Sequence, residues 1–260
     1  MDMLEALRLQ WEWGADEALL ETPQDRRVSA PAPSAAPPLP PRPAAKPAAT
    51  LPAGPADARK IAESCATLAE LEAALKNFTG CALSATATQL VFADGAADAK
   101  LIIIGEAPGA EEDRAGKPFI GPAGQLLDRM LASIGLDRGQ VRIINTVPWR
   151  PPGNRTPTEA EIAICLPFLH RQIALIHPSA LLVLGAVAAK ALLPAEGASG
   201  IRRLRGIWRQ AEITGLESPL PCLPSYHPAY LLRTPMAKSE SWRDLLQLRG
   251  WLENAILTKS

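Results

Sequence analysis

The chain has 260 residues, 47% hydrophobic and 21% charged, with 27 basic residues balancing 27 acidic ones. Zero net charge excludes a polybasic chain that grips nucleic acid through bulk electrostatics, so any such contact must come from local basic clusters. The acidic, polar N-terminus is unlike a secretory leader, and no stretch reaches about 18 apolar residues, which argues against a membrane span and predicts a cytoplasmic location.

In chain order, residues 1–20 carry Leu4, Leu7 and Trp11 at helical spacing and predict an amphipathic helix. Residues 21–56 collapse to Pro and Ala, as in APAPSAAPPLPPRPAAKPAA, and predict a disordered linker of extended geometry. The first helix is then either a tethered peptide for a protein partner or a flap on the core. The core is expected over 57–260. A helix from Asp57 places Ile61, Cys65, Leu68, Leu71 and Leu75 on one face. Four apolar runs read as strands buried on both faces: LIIIG after Lys100, RIINT after Val141, LLVLG after Ala180, and PCLPSYHP after Leu220. Between them lie helical patterns, one through Leu126, Leu127, Met130, Leu131 and Ile134. Another opens on a capping box, Thr156-x-x-Glu159, and passes Pro167, a potential kink. A last helix, around 241–257, carries Trp242, Leu245 and Trp251. This alternation predicts an α/β fold, a parallel sheet covered by helices, with a ligand crevice at the carboxyl ends of the strands. The four cysteines, at 65, 81, 165 and 222, are expected to stay reduced.

Unusual polar residues follow three of those strands: Glu106 in GEAPG, Asn145 in INT and His227 in SYHPAY. GEAPG is neither a dinucleotide fingerprint nor a phosphate-cradling loop. With Glu111, Glu112 and Asp113 following, it would repel a phosphate, but it suits a developing cation or an attacking water. Phe119, in GKPFIG, reads equally as core or as a platform for a stacked base. Asn145 offers a donor and an acceptor, which matches the N3–H and O4 edge of uracil; a turn asparagine is the plainer reading. His227 precedes an apolar tip, Leu231 and Leu232, shaped to fill the gap left by a flipped nucleotide. Arg150, Arg155 and Arg233 fall on crevice-side loops, while Arg202, Arg203, Arg205 and Arg209 form either a phosphate patch or a solvated face.

Taken jointly, GEAPGAEED, GKPFIGPAGQLLDRML, NRTPTEAEI and HPAYLLR resemble the uracil-DNA glycosylase superfamily, family 4 in particular, over about 77–251. The resemblance implies a three-layer α/β/α sandwich with a central four-stranded parallel sheet, and a monomer acting on uracil-containing DNA in base excision repair. It implies that Glu106, Ala107 and Pro108 line the uracil pocket, that Phe119 stacks on the base, and that Asn145 reads its edge. It further implies that His227 bonds O2, and that Glu106, Glu112 and Asn154 are polar groups of the catalytic region. Family 4 usually carries a [4Fe–4S] cluster on four cysteines. Here Phe78 and Trp149 stand at two of those positions and only Cys81 and Cys165 match, so no cluster and no metal are expected. At the position of the water-activating Asp of the classical family stands Ala107, which leaves Glu106 or Glu112 to orient water. The competing readings are a non-catalytic DNA-damage binder on the same fold and an interaction scaffold organised by the N-terminal segment.

Overall fold

A computed structural model describes residues 54–197 and 199–257. The helix expected over 1–20, and nearly all of the expected linker, lie outside them. Helix α1 (Pro55–Ser64) starts with Pro at its first turn, where the missing N–H costs nothing. The single helix expected from Asp57 is two: α2 (Leu68–Asn77) begins afresh because the Thr67 hydroxyl caps the Glu70 amide. That cap outweighs an apolar pattern that runs across the break.

The remaining elements are β1 (Asp94–Gly95), β2 (Leu101–Gly105), α3 (Ala110–Ala115), α4 (Pro122–Ala132), β3 (Arg142–Asn145) and α5 (Glu159–Ile176). They continue as β4 (Ala180–Leu184), α6 (Ala186–Leu192), α7 (Pro194–Gly197), α8 (Ile201–Leu204), β5 (Arg209–Ala211), β6 (Leu220–Ser225), α9 (Pro228–Arg233) and α10 (Lys238–Leu257). The sheet order is β1-β3-β2-β4-β6-β5. The four expected strands pair in parallel, and the short β1 and β5 add antiparallel edges. The four-stranded expectation is thus corrected to a mixed, mostly parallel sheet of six. β1 and β5 have two and three residues, too few to show alternation.

Unbroken apolar runs form strands here because both faces are covered. Leu101, Ile103, Ile143 and Leu182 point to α4 and α10; Ile102, Ile104, Ile144 and Val183 point to α5 and α6. The third apolar cluster joins α1, α2 and α5 around Phe78, Trp149 and Phe168. Helix α5 continues through Pro167, and its cap is Thr158 with Glu161, two residues later than expected. Chain progression reverses direction at β2, which has β3 on one side and β4 on the other. A crevice at the strand ends belongs at such a switch. Among the described residues, no helix is long and apolar enough to cross a membrane.

Candidate active site

A cleft of about 460 Å³ opens at that switch. It is lined by Glu106, Ala107 and Pro108 after β2, Asn145 at the end of β3, and His227 after β6. Phe119, Glu112, Asn154, Arg155 and Arg233 also line it. The three strand-end residues therefore share one rim with the aromatic ring.

Asn145 is 7% exposed, and its Oδ1 is buried without a hydrogen-bond partner. An orphaned acceptor is costly in an ordinary core, by about 1–3 kcal/mol. Gly105 makes room for it. A Cβ on Gly105 would lie 2.5 Å from Asn145 Oδ1 and 2.5 Å from the Phe119 ring. Ring and amide thus converge over the end of β2, where any other residue would push them apart.

Phe119 sits between α3 and α4 on a segment without regular structure, with φ +53°. A non-glycine residue in the left-handed region costs about 1–2 kcal/mol, so its surroundings must enforce it. Its ring is 5% exposed and stacks against His227, centroids 5.3 Å apart and planes 29° off parallel.

His227 caps α9, its Nδ1 accepting the Ala229 amide at 3.2 Å. That bond fixes the tautomer with the proton on Nε2. Burial, helped by the nearby Arg233 cation, holds its pKa down at about 4, and the ring is neutral at physiological pH. The site therefore presents a neutral N–H donor.

The acidic residues divide by duty. Burial raises the Glu106 pKa, against a hydrogen bond from Thr156 and the charge of Arg233. Thr156, expected as a helix cap, thus faces the Glu106 carboxyl instead. Glu112 belongs to α3. Its carboxylate accepts the amides of Gly109 (3.1 Å), Ile120 (3.1 Å) and Gly121 (2.9 Å). Those bonds occupy both oxygens with backbone support. Asp113 is buried on Thr88 and the Gln89 amide.

The basic and apolar candidates also separate. Arg155 forms a two-pronged ion pair with Glu161, and Arg150 donates to Asn154 Oδ1 at 2.8 Å. The paired expectation of Leu231 and Leu232 as a DNA-facing tip is corrected. Leu231 is 1% exposed and packs in the core, because the short helix α9 turns it inward. Leu232 is 40% exposed. Of the other basic cluster, Arg205 is half-buried and paired with Asp244 and Glu240, and Arg209 pairs with Glu196. Only Arg202 and Arg203 are exposed.

The positions expected to hold an iron–sulfur cluster in this family do not fit one. Phe78 stacks at 6.4 Å on Trp149 and meets Phe168 edge-on at 5.0 Å, in the cluster that also buries Cys81 and Cys165. Two thiols are half of a Cys₄ set, and the rings fill the neighbouring volume. A hydrogen bond from Cys165 lowers the Cys81 pKa to about 7; the same contact, with burial, raises that of Cys165. Among the described residues, no group of three or more His, Cys, Asp or Glu is placed to bind a metal ion.

Residues 92–246 match the family model of the uracil DNA glycosylase superfamily. A type-4 uracil-DNA glycosylase of Pyrobaculum aerophilum is 40% identical over 185 residues, 70% of this chain and 93% of that protein. One of Thermotoga maritima is 40% identical over 61% of this chain and 80% of its own length. One of Sulfurisphaera tokodaii is 38% identical over 65% and 77%. The chain belongs to the uracil DNA glycosylase superfamily, with type-4 enzymes among its relatives.

Proposed function

We propose how this chain performs the work of a uracil-DNA glycosylase: it receives a flipped uracil in the strand-end cleft and hydrolyses its bond to the sugar. The carrying observation is the buried, unpartnered Oδ1 of Asn145 beside the Phe119 ring. Uracil N3–H satisfies that acceptor while the amide Nδ2 donates to O4. Cytosine has a bare N3 and an amino group there, so it would leave Oδ1 orphaned and set donor against donor. The pocket thus selects by hydrogen-bond pattern.

As the glycosidic bond stretches, charge grows on the leaving pyrimidine and a cation forms on the sugar. His227 donates Nε2–H to O2; a preorganised donor of this kind is worth about 3–4 kcal/mol. Glu106 is the carboxyl left to offset the sugar cation or orient water, since the oxygens of Glu112 already hold three backbone amides. Ala107 supplies no carboxylate. A strongly electrophilic sugar cation needs little help from a base. Arg233 and Arg150 are the basic groups we assign to the DNA backbone, with Leu232 as the tip that enters the base stack. Arg155 is held by Glu161 and takes a smaller part.

We place the catalytic unit within 57–260, acting as a monomer in the cytoplasm, with the N-terminal segment serving a protein partner. The test of the pocket is alkali-induced scission of an oligonucleotide bearing one uracil, against its cytosine counterpart. Wild type should cut the first and spare the second, and Asn145→Ala should cut the uracil strand far more slowly. Comparable excision of both bases would overturn the reading.

A further inference from the structure

Phe119 is held from two sides. On its C-terminal side Glu112 takes the amides of Ile120 and Gly121. On the same peptide unit as the Ile120 amide the Arg138 guanidinium donates to the carbonyl of Phe119, and on the N-terminal side it donates to that of Pro118 at 3.3 Å. Arg138 lies 19 residues further along the chain, in a 3-10 turn before β3. Its own fork is anchored by Asp94 of β1 and Asp128 of α4, each at 2.7 Å. The Phe119 carbonyl is pressed against α4: a Cβ on Gly124 would lie 1.7 Å from it. Helix α4 therefore closes one side of this carbonyl and the guanidinium reaches it from another. The residue so gripped is one of three described non-glycine residues with positive φ.

We propose that Arg138 is a positioning residue for base excision: by holding the carbonyls of Pro118 and Phe119 it fixes the angle of the aromatic plate against Asn145 and His227. This rests on the reading of Phe119 as the plate. A planar guanidinium meets two carbonyls and two carboxylates at once, which a lysine ammonium on its flexible stem does not match. Without that grip the strained segment is free to relax toward ordinary backbone angles, and the ring moves with it. Misplacement of about 1 Å costs up to ~10²-fold in rate. DNA affinity, set by other residues, stays where it was.

The experiment is a double-mutant cycle on single-turnover excision in the full chain, with DNA affinity measured beside it. Arg138→Ala should slow excision about 10- to 100-fold with DNA affinity within about twofold, and Arg138→Lys should recover part of the rate. In a Phe119→Ala background, Arg138→Ala should add less than about a twofold loss, because there is no ring left to misplace. A mere loss of folding would depress both backgrounds alike. Should Arg138→Ala fail to fold, Arg138→Lys and Asp128→Asn enter the same cycle, and each should slow excision only when Phe119 is present. Wild-type rates from the Arg138 variants, or a full multiplicative loss in the Phe119→Ala background, would overturn the proposal. A wild-type rate from Phe119→Ala alone would overturn the plate reading as well, and it is seen without any Arg138 variant.

Discussion

Two buried regions of this molecule hold aromatic rings, and they are built to opposite ends. At the strand-end rim, Phe119 sits on strained backbone beside an amide oxygen with no partner and a neutral imidazole. Around Phe78 and Trp149, rings meet rings and two thiols meet each other. The first region keeps unmet hydrogen-bonding capacity and strain, which is the signature of a place waiting for a ligand. The second is filled by its own side chains, as a close-packed core is. Substitutions should therefore strike activity in one region and stability in the other.

The largest effect is expected at the rim. His227→Ala should lower single-turnover excision by about 10²- to 10³-fold, the usual loss for a preorganised donor, while loss of its helix cap costs only about 0.5–2 kcal/mol of stability. Phe78→Ala should do the reverse. It should cost about 3–5 kcal/mol of stability in urea unfolding while folded protein excises at the wild-type rate. The same plug predicts that the purified protein lacks iron–sulfur colour and keeps its activity in an iron chelator. A brown preparation that loses both colour and stability on chelation would mean that Cys81 and Cys165 recruit other ligands.

Leu231 and Leu232 bring the contrast into two adjacent residues. Leu231→Ala should destabilise by about 2–5 kcal/mol. Leu232→Ala should leave stability intact and slow excision from double-stranded DNA more than from single-stranded DNA, where no stack needs filling. Equal behaviour of the two variants would remove the wedge from the account.

The smallest effect is in pH. Burial is the main cause holding His227 near a pKa of 4, with Arg233 second; burial does the same to His170, with Arg59 second. In the unfolded chain both rings take up protons from about pH 6.5. The contribution of these neutral rings to stability is whole above that pH, and is lost as pH falls toward 4. Urea midpoints should drop between about pH 7 and pH 5, and less steeply when both histidines are replaced by Gln. An unchanged slope in that variant would show that other groups carry the dependence.

The strands were legible because a run such as LIIIG has only one comfortable place, between two layers of helices. Glu106, Asn145 and His227 were legible as a group because each follows such a run. The break at Thr67 was not, since the apolar periodicity continues through it and only the cap geometry decides. Nor was the inward turn of Leu231, for two adjacent leucines in a six-residue helix give no face to choose. Arg138 left no mark in sequence at all. It lies far from Phe119 in the chain, and its role depends on where β1, α4 and the Phe119 carbonyl meet. The support given by Glu112 was hidden in the same way, because backbone amides are not written in side-chain letters.

The proposed role of the lone Asn145 oxygen, receiving the N3–H of the departing base, is open to direct test with free bases. Inhibition of excision should be titrated with uracil and with 3-methyluracil, which differ only at that hydrogen. Uracil should inhibit, and the methylated base should inhibit far more weakly, with the difference abolished in Asn145→Ala. Equal inhibition of the wild-type protein by the two bases would contradict the account.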